Sequence, residues 1–80
     1  MDEFFNKEKY NNPNYMKNHI VVTRDNRPVR ILCTNLKDSK PIIAAVEMSP
    51  NCEIAVHCYS NGRLARTLIS GLDIMFKIKN

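Results

Sequence analysis

The sequence of 80 residues contains no tryptophan, only two glycines, and no apolar run near the roughly 20 residues that a membrane-spanning helix requires. The shortage of glycine argues against a flexible or fibrous chain. The N-terminus mixes acidic, basic and polar residues, so it lacks the basic-then-apolar order of a secretion signal. We therefore expect a soluble protein with neither leader nor membrane anchor, folded as one domain around a core of barely sufficient size.

Cysteine is scarce and odd in number, because only Cys33, Cys52 and Cys58 are present. Without a secretion signal, this favours reduced thiols, no structural disulfide and a cytoplasmic location. The net charge is +4, from 12 Lys and Arg against 8 Asp and Glu. The charges before residue 19 cancel, so the basic excess lies in the rest of the chain. This excess permits attraction to nucleic acid or acidic surfaces without requiring it.

The segment 1–18 is rich in asparagine and lysine and predicts an N-terminal arm, flexible or partly helical. Asp2 can cap a short helix over residues 3–10, which the Asn-Asn-Pro-Asn run at 11–14 would end. Two interpretations stay open: a frayed terminus, or an arm whose aromatic residues dock on the domain, cover a sheet edge or bind another subunit. The aromatic residues are Phe4, Phe5, Tyr10 and Tyr15.

From residue 19 onward, apolar residues recur with a period of two, which is typical of β-strands. Two alternating runs flank a polar turn at residues 24–28. A two-residue loop at Asp25 and Asn26 would bring the apolar sets of both runs to one side of a sheet, which predicts a β-hairpin. The predicted cross-strand pairs are Val22 with Val29 and Ile20 with Ile31.

The stretch 41–68 predicts strand, turn, strand, turn and strand, and we interpret it as the scaffold of the domain. The turns are Ser49-Pro50-Asn51 and Ser60-Asn61-Gly62, where Gly62 can adopt a left-handed conformation. Apolar residues that face each other on one side set the register. The predicted pairs are Met48 with Cys52, Val46 with Ile54, Ala44 with Val56, Ile42 with Cys58, Cys58 with Leu64, and Ile54 with Leu68.

A further strand follows Gly71, because apolar and polar residues alternate again over 72–79. A helix would spread these apolar residues around its whole circumference. Short strands joined mostly by tight turns predict an all-β fold, a small antiparallel meander of five to six strands that is curled or barrel-like. We assign residues 19–80 to this single β domain.

The candidate metal ligands do not form a known zinc pattern. Cys33, Cys52, His57 and Cys58 would supply four ligands, yet no C-x-x-C pair is present. His57 and Cys58 are neighbours on a predicted strand and point to opposite faces, so they cannot easily share a metal ion. We interpret the cysteines as small buried apolar residues and predict neither a metal nor a cofactor site.

Catalytic residues are equally hard to assemble. A cysteine nucleophile needs a histidine within reach. His57 directly precedes Cys58 on a predicted strand and points to the opposite face, so only His19 remains a candidate. No neighbouring carboxylate in the sequence would orient that histidine. Glu47, Glu53 and Asp73 are more simply interpreted as solvated residues of sheet faces. We predict that the protein is not an enzyme.

The basic residues carry the strongest functional signal. Arginines cluster in the first predicted hairpin and recur on the predicted fifth strand, near a tyrosine on an outer face. Small β proteins that bind nucleic acid combine such cations with aromatic platforms. Surface arginines also commonly just solvate a sheet, so both interpretations stay open. The candidate nucleic-acid-binding residues are Arg24, Arg27, Arg30, Tyr59, Arg63 and Arg66.

The edges of the sheet offer another kind of site. A meander that does not close leaves its first and last strands unpaired, and a partner can add a strand there. Lys77, Lys79 and Pro28 look like protection against such pairing, since charges and proline are typical of strand edges.

Residues 19–46 read HIVVTRDNRPVRILCTNLKDSKPIIAAV. The segments TRD at 23–25, RPVRI at 27–31, KPI at 40–42 and NGR at 61–63 resemble those of small β-rich proteins of Bacteroides-type bacteria and their phages. The resemblance spans about three quarters of the chain and leaves out the arm. Those proteins commonly have glycine in place of Asn26, and asparagine also accepts positive φ. The resemblance implies a phage or mobile-element accessory role, and no activity, ligand or catalytic residue.

Together these features predict a small non-enzymatic binding or protein-interaction module, without cofactor, whose partner is another protein or a second copy. The alternative is a nucleic-acid-binding accessory protein that uses a basic sheet face. In that alternative the arginines bind phosphates and the tyrosine stacks on a base.

Overall fold

The computed structural model describes residues 3–79, which form six strands and two one-turn helices. The strands make two three-stranded antiparallel sheets, ordered β1-β6-β2 and β3-β4-β5. The predicted all-β fold with antiparallel strands is therefore confirmed. The elements are β1 (Glu3–Phe4), α1 (Lys7–Tyr10), α2 (Pro13–Met16), β2 (His19–Thr23), β3 (Val29–Cys33), β4 (Ile42–Ser49), β5 (Cys52–Cys58) and β6 (Ile74–Ile78).

The predicted first hairpin has the right turn but the wrong pairing. Asn26 has a φ of 73°, and Thr23 N donates to the carbonyl of Arg27 at 2.9 Å, so the chain does reverse. Beyond an isolated bridge between Val22 and Pro28, however, β2 pairs with β6 and β3 pairs with β4. The predicted cross-strand pairs Ile20 with Ile31 and Val22 with Val29 are therefore wrong, because β2 forms its ladder with β6 and β3 forms its ladder with β4.

The pairing of β4 with β5 is the part of the register that was predicted best. Three of the predicted pairs occur as expected: Ile42 with Cys58, Ala44 with Val56, and Val46 with Ile54. The pairing of Met48 with Cys52 is wrong, because a β-bulge brings Ser49 opposite Cys52. The bulge leaves only Pro50 and Asn51 in the turn, one residue fewer than the predicted turn Ser49-Pro50-Asn51.

The segment between β5 and β6 forms no strand, although the sequence predicted one over 63–68. Gly62 has a φ of +84°, and a side chain there would lie 2.4 Å from the carbonyl oxygen of Ile74. Ile74 N donates to the carbonyl of Gly62 at 2.8 Å, so this turn leads the chain across to β6. The expected pairs of Cys58 with Leu64 and of Ile54 with Leu68 are therefore wrong.

Residues 3–18 pack as part of the domain. β1 pairs with β6, and the side chain of Phe5 is only 1% exposed. Its ring stacks on Phe76 with centroids 5.4 Å apart and contacts the Tyr10 ring at 5.5 Å. The N-terminal aromatic Phe5 is thus a core residue, which corresponds to the docking interpretation of this segment.

The helices of this segment are shorter than predicted. Asn6 begins α1 by accepting a hydrogen bond from Lys9 N at 3.0 Å, and Asn12 begins α2 in the same way with Asn14 N. The prediction of one helix over 3–10 is wrong, since β1 occupies its start. The expected cap, Asp2, lies outside the described residues.

The core lies between the two sheets and is built mainly from their central strands, β4 and β6. Because β6 is central, Lys77 and Lys79 do not protect an edge as expected, whereas Pro28 does stand just before edge strand β3. Within residues 3–79, neither helix has the length or apolar character to cross a bilayer. The buried cluster is Phe5, Ile42, Ala44, Val46, Cys58, Ile74 and Phe76.

Substitution of Phe5 by alanine should destabilise the fold by about 3–5 kcal/mol, because it removes a buried aromatic ring and leaves a cavity. Phe4, the adjacent residue, is 40% exposed and serves as the matched control. We expect Phe4→Ala to cost about 1 kcal/mol or less. Urea unfolding followed by circular dichroism measures both free energies of unfolding. A loss of stability for Phe5→Ala no larger than that for Phe4→Ala would contradict the core position of Phe5.

Candidate binding groove and basic residues

A groove of about 910 Å³ lies where β2 and β3 separate. Its walls come from these two strands and from the end of β6, and residues of both helices contribute to its lining. Five of the lining side chains, on both helices and both strands, also pack against the core, so the groove reaches down to it: Tyr10, Met16, Val21, Val29 and Ile31.

One wall presents a strand edge whose backbone groups face the groove. Lys79 N donates to the carbonyl of Asn18, and Arg24 N donates to the carbonyl of Asp73, both at 2.8 Å. Backbone groups alternate in direction along an antiparallel strand, so the even-numbered residues of β2 point to β6. The N–H and C=O groups of His19 therefore point away from β6, toward the groove.

The other wall presents a second edge, by the same argument. Glu47 N donates to the carbonyl of Pro28 at 3.0 Å, which turns the backbone groups of Pro28 toward β4. Arg30, which pairs with Ala45, has the same direction. The backbone groups of Ile31 point to the opposite side, toward β2. Two partly unpaired strand edges thus lie across the groove from each other.

The lining of the groove is apolar with a basic rim. Among the lining residues that belong to the described range 3–79 there are three Lys or Arg and one His, and no Asp or Glu. Lys77 donates to the neutral side-chain oxygen of Asn26 at 2.9 Å and forms no ion pair with a carboxylate of residues 3–79. Ile20, on the β2 wall, is 41% exposed. A ligand with apolar and acidic side chains would match this surface.

The three arginines of the first hairpin are each held by a carboxylate. Arg24 pairs with Asp73 at 3.1 Å and Arg27 with Asp25 at 3.1 Å. Arg30 makes a bidentate contact with Glu53, at 2.9 and 2.7 Å. Their charges are locally balanced, because each ion pair places an anion beside the cation.

Asp73 was expected on a solvated sheet face, and this is wrong, because its side chain is fully buried. It accepts hydrogen bonds from Leu64 N at 3.1 Å, Ser70 N at 3.2 Å and the Arg24 guanidinium at 3.1 Å. Burial, the largest influence, raises the pKa of Asp73, but these hydrogen bonds together outweigh it and hold the pKa below its ordinary value. The residue joins the irregular segment to β2.

Of the remaining candidate residues, Arg66 lies against Tyr59 and Arg63 does not. Lys40 Nζ lies 5.2 Å and the Arg66 guanidinium 5.1 Å from the centre of the Tyr59 ring, as in cation–π contacts. Arg63 instead lies 5.9 Å from the ring of Phe4 and donates to the carbonyl of Leu68 at 3.2 Å. Among residues 3–79, no carboxylate forms an ion pair with any of these three cations.

The cysteines occupy three different environments. Cys58 is buried, and desolvation, with the Asp73 charge as a smaller influence, raises the pKa of its thiol to about 12. Cys33 is half-buried and Cys52 is exposed, so the expected inward position is wrong for Cys52, which lies at the bulged end of β5. Over residues 3–79, no three His, Cys, Asp or Glu side chains come together as a metal-binding group.

The histidines are separated as well. His19 stacks on Tyr15, with ring centroids 3.8 Å apart, and its Nδ1 lies 2.7 Å from the carbonyl oxygen of Tyr15. These contacts hold the ring against α2. His57 is exposed on β5.

No protein-family model, curated protein or solved structure matches this chain. The function is therefore argued from the groove and from the surfaces around it. Sequence patterns did not reveal the groove, because it exists only where two strands of a predicted hairpin separate.

Replacement of Asp73 by asparagine should lower stability near neutral pH by about 1–3 kcal/mol, because a buried acceptor of a charged hydrogen bond is lost. A carboxyl with a lowered pKa stabilises the fold above its unfolded pKa, and this contribution disappears as pH falls through the folded value. The difference between wild type and Asp73→Asn should therefore be full above about pH 4 and shrink below it.

Denaturant unfolding at a series of pH values measures this difference. Glu53→Gln is the control, because Glu53 also has a lowered pKa through the Arg30 contact but lies at the surface. We expect a smaller loss for Glu53→Gln, as is usual for exposed ion pairs. A pH-independent difference for Asp73→Asn would contradict the assigned role of the buried charge.

Proposed function

We propose that this protein is a non-enzymatic interaction module that binds an extended acidic peptide segment in the groove between β2 and β3. The observation that carries the proposal is the pair of strand edges facing each other across an apolar groove with a basic rim. An extended segment added there would gain main-chain hydrogen bonds for affinity and side-chain pockets for specificity.

The backbone geometry supports an inserted strand. His19 and Ile31 direct their backbone groups toward the groove from opposite walls, so one added strand could bond to both. Since β2 and β3 are joined by a turn and run in opposite directions, the added strand would be antiparallel to one and parallel to the other. It would connect β1-β6-β2 to β3-β4-β5 as one continuous sheet.

The side chains support the chemistry of the ligand. An added strand presents alternate residues to opposite faces. One set would lie over the apolar side chains that reach the core, such as Val21 and Ile31. The other set would lie near the rim, where Lys77 and Lys79 favour carboxylates. Alternating apolar and acidic residues therefore describe the ligand best.

We place this module in the cytoplasm. The three cysteines are unpaired, which suits a reducing compartment, and strand addition requires no cofactor or catalytic group. We also propose an accessory role, as the resemblance drawn from residues 19–46 and 61–63 implies.

A fluorescent peptide of alternating valine and glutamate, about six residues long, tests the proposal by anisotropy. The protein should bind it, and the same peptide with N-methylated alternate amides should bind about tenfold more weakly, because ladder hydrogen bonds are lost. Hydrogen exchange measured by NMR should show new protection of the amides of His19 and Ile31 when the unmodified peptide is present.

Two matched substitutions locate the site. Ile20→Asp adds a negative charge to the groove wall and should weaken binding about tenfold. Leu32→Asp adds the same charge to β3 at an exposed residue outside the lining, and should change the affinity by about twofold or less. Equal binding of the N-methylated peptide, or equal effects of both substitutions, would reject strand addition in the groove.

A second candidate function is binding of single-stranded nucleic acid, favoured by the cations around Tyr59. Lys40 and Arg66 lie near this ring without carboxylate partners among residues 3–79, as a phosphate-binding surface requires. The hairpin arginines contribute less to this candidate, since each already has an acidic partner. A base would have to displace Lys40 or Arg66 in order to stack on the ring.

Titration with a single-stranded oligonucleotide at low and at physiological salt tests this candidate. Binding should weaken steeply with salt, and Arg66→Gln should reduce the salt slope by about 1. Arg27→Gln is the control, because the Arg27 guanidinium is held by Asp25, and it should leave the slope nearly unchanged. Absence of binding at low salt would reject the nucleic-acid candidate and leave the peptide proposal untouched.

A further inference from the structure

We propose that two copies of this chain associate through their β5 strands, antiparallel and related by a two-fold axis at Ala55. The proposal rests on β5 and does not depend on the groove between β2 and β3. β5 is an edge strand of seven residues, and five of them are exposed although their side chains belong to both faces of the sheet. Such a long, uncovered edge is a template for pairing with another strand.

The free backbone groups of β5 can be assigned from its neighbours. Because Glu47 N donates to Pro28 on the β3 side, the alternate residue Val46 directs its groups toward β5. Its partner Ile54 therefore bonds to β4, and Ala55 directs its groups outward. The same alternation makes Glu53 and His57 outward-facing.

A contact beyond the end of the strand confirms this direction. Tyr59, two residues after His57, donates its N–H to the carbonyl of Arg63 at 2.8 Å, on the outer side of the sheet. The segment after β5 therefore covers the outer edge only at Tyr59. From Glu53 to His57, no strand within residues 3–79 pairs with this edge.

The two-fold axis at Ala55 matches both side-chain sets of the strand. On one face Glu53 lies opposite His57 of the second copy, and the same pair recurs across the axis. On the other face Ile54 lies opposite Val56 of the second copy. The Glu53 carboxylate keeps its two hydrogen bonds to Arg30 and has lone pairs left to accept a hydrogen bond from the His57 ring of the second copy. The apolar pair is favourable across antiparallel strands.

Neighbouring registers lack this complementarity. An axis at Glu53 would place two glutamates opposite each other, and an axis at His57 would do the same with two histidines. Axes at Ile54 or Val56 would leave Glu53 opposite Ala55 or Tyr59. Only the axis at Ala55 pairs the acidic residue of β5 with its basic one, and it also uses the full length of the strand.

Burial of the apolar face of β5 is a further reason for the pairing. Ile54 is 37% exposed and Val56 is half-buried, although both lie on the same face as core residues Val46 and Ala44 opposite them. The apolar surface of this sheet thus continues to its open edge. A second copy would cover that edge and extend the β3-β4-β5 sheet into one of twice the width.

Sedimentation equilibrium of the whole chain, from dilute to near-millimolar concentration, tests the proposal. The mass should rise from 9.3 kDa toward twice that value. Ala55→Pro should remain at the monomer mass, because it removes an N–H that points only to the second copy. Proline is tolerated on an edge strand when its missing N–H faces solvent, so the monomer should still fold.

Matched substitutions at His57 test the register without altering the backbone. His57→Lys places a cation opposite Glu53 and should still dimerise, whereas His57→Glu places a second carboxylate there and should weaken the dimer at least about tenfold. Ile20→Asp, in the groove, should dimerise like wild type. A wild-type monomer at every concentration, a dimeric Ala55→Pro variant, or equal behaviour of the two His57 variants would overturn the proposal.

Discussion

The buried carboxylate of Asp73 fixes the irregular segment between β5 and β6 to the end of β2. Its hydrogen bonds reach the amides of Leu64 and Ser70 in the irregular segment and the guanidinium of Arg24 at the end of β2. The backbone carbonyl of Asp73 also accepts from Arg24 N, at 2.8 Å. This network sets the start of β6 beside β2. Because β2 forms its hydrogen-bond ladder with β6, β3 pairs with β4 instead. The groove therefore opens between β2 and β3.

The balance of charges depends on three separate ion pairs, of which only Arg24–Asp73 belongs to this network. The sequence shows five arginines and a basic excess, yet three of the arginines are bound by Asp25, Glu53 and Asp73. Within residues 3–79, the cations that form no ion pair include those beside Tyr59 and the lysines at the end of β6. These two regions differ in chemistry, since the first surrounds an aromatic ring and the second borders an apolar groove. They suit different ligands, which is why peptide and nucleic acid can be tested separately.

Sequence patterns predicted the fold class and the β4–β5 register because both depend on local information, namely alternation across one tight turn. The pairing of β2 with β6 could not be predicted in the same way, since about fifty residues separate the partners and their alternation fits many registers. The segment 63–68 alternates like a strand, but the positive φ of Gly62 turns the chain toward β6, and the segment forms no strand. The groove and the buried state of Asp73 depend on these long-range choices, so neither had a signal in the sequence.

The β1-β6-β2 sheet joins the two ends of the described chain, because β6 pairs on one side with β1 and on the other with β2. The β3-β4-β5 sheet, by contrast, contains only strands that follow each other directly. During synthesis, all strands of the β3-β4-β5 sheet therefore leave the ribosome before Phe76, the residue on which Phe5 stacks, has been added. The core can close only after residues 74–78 have emerged, so its assembly is a late event with a high contact order. Until then the apolar side of β4 lacks the β6 side chains that cover it, so the growing chain exposes this surface.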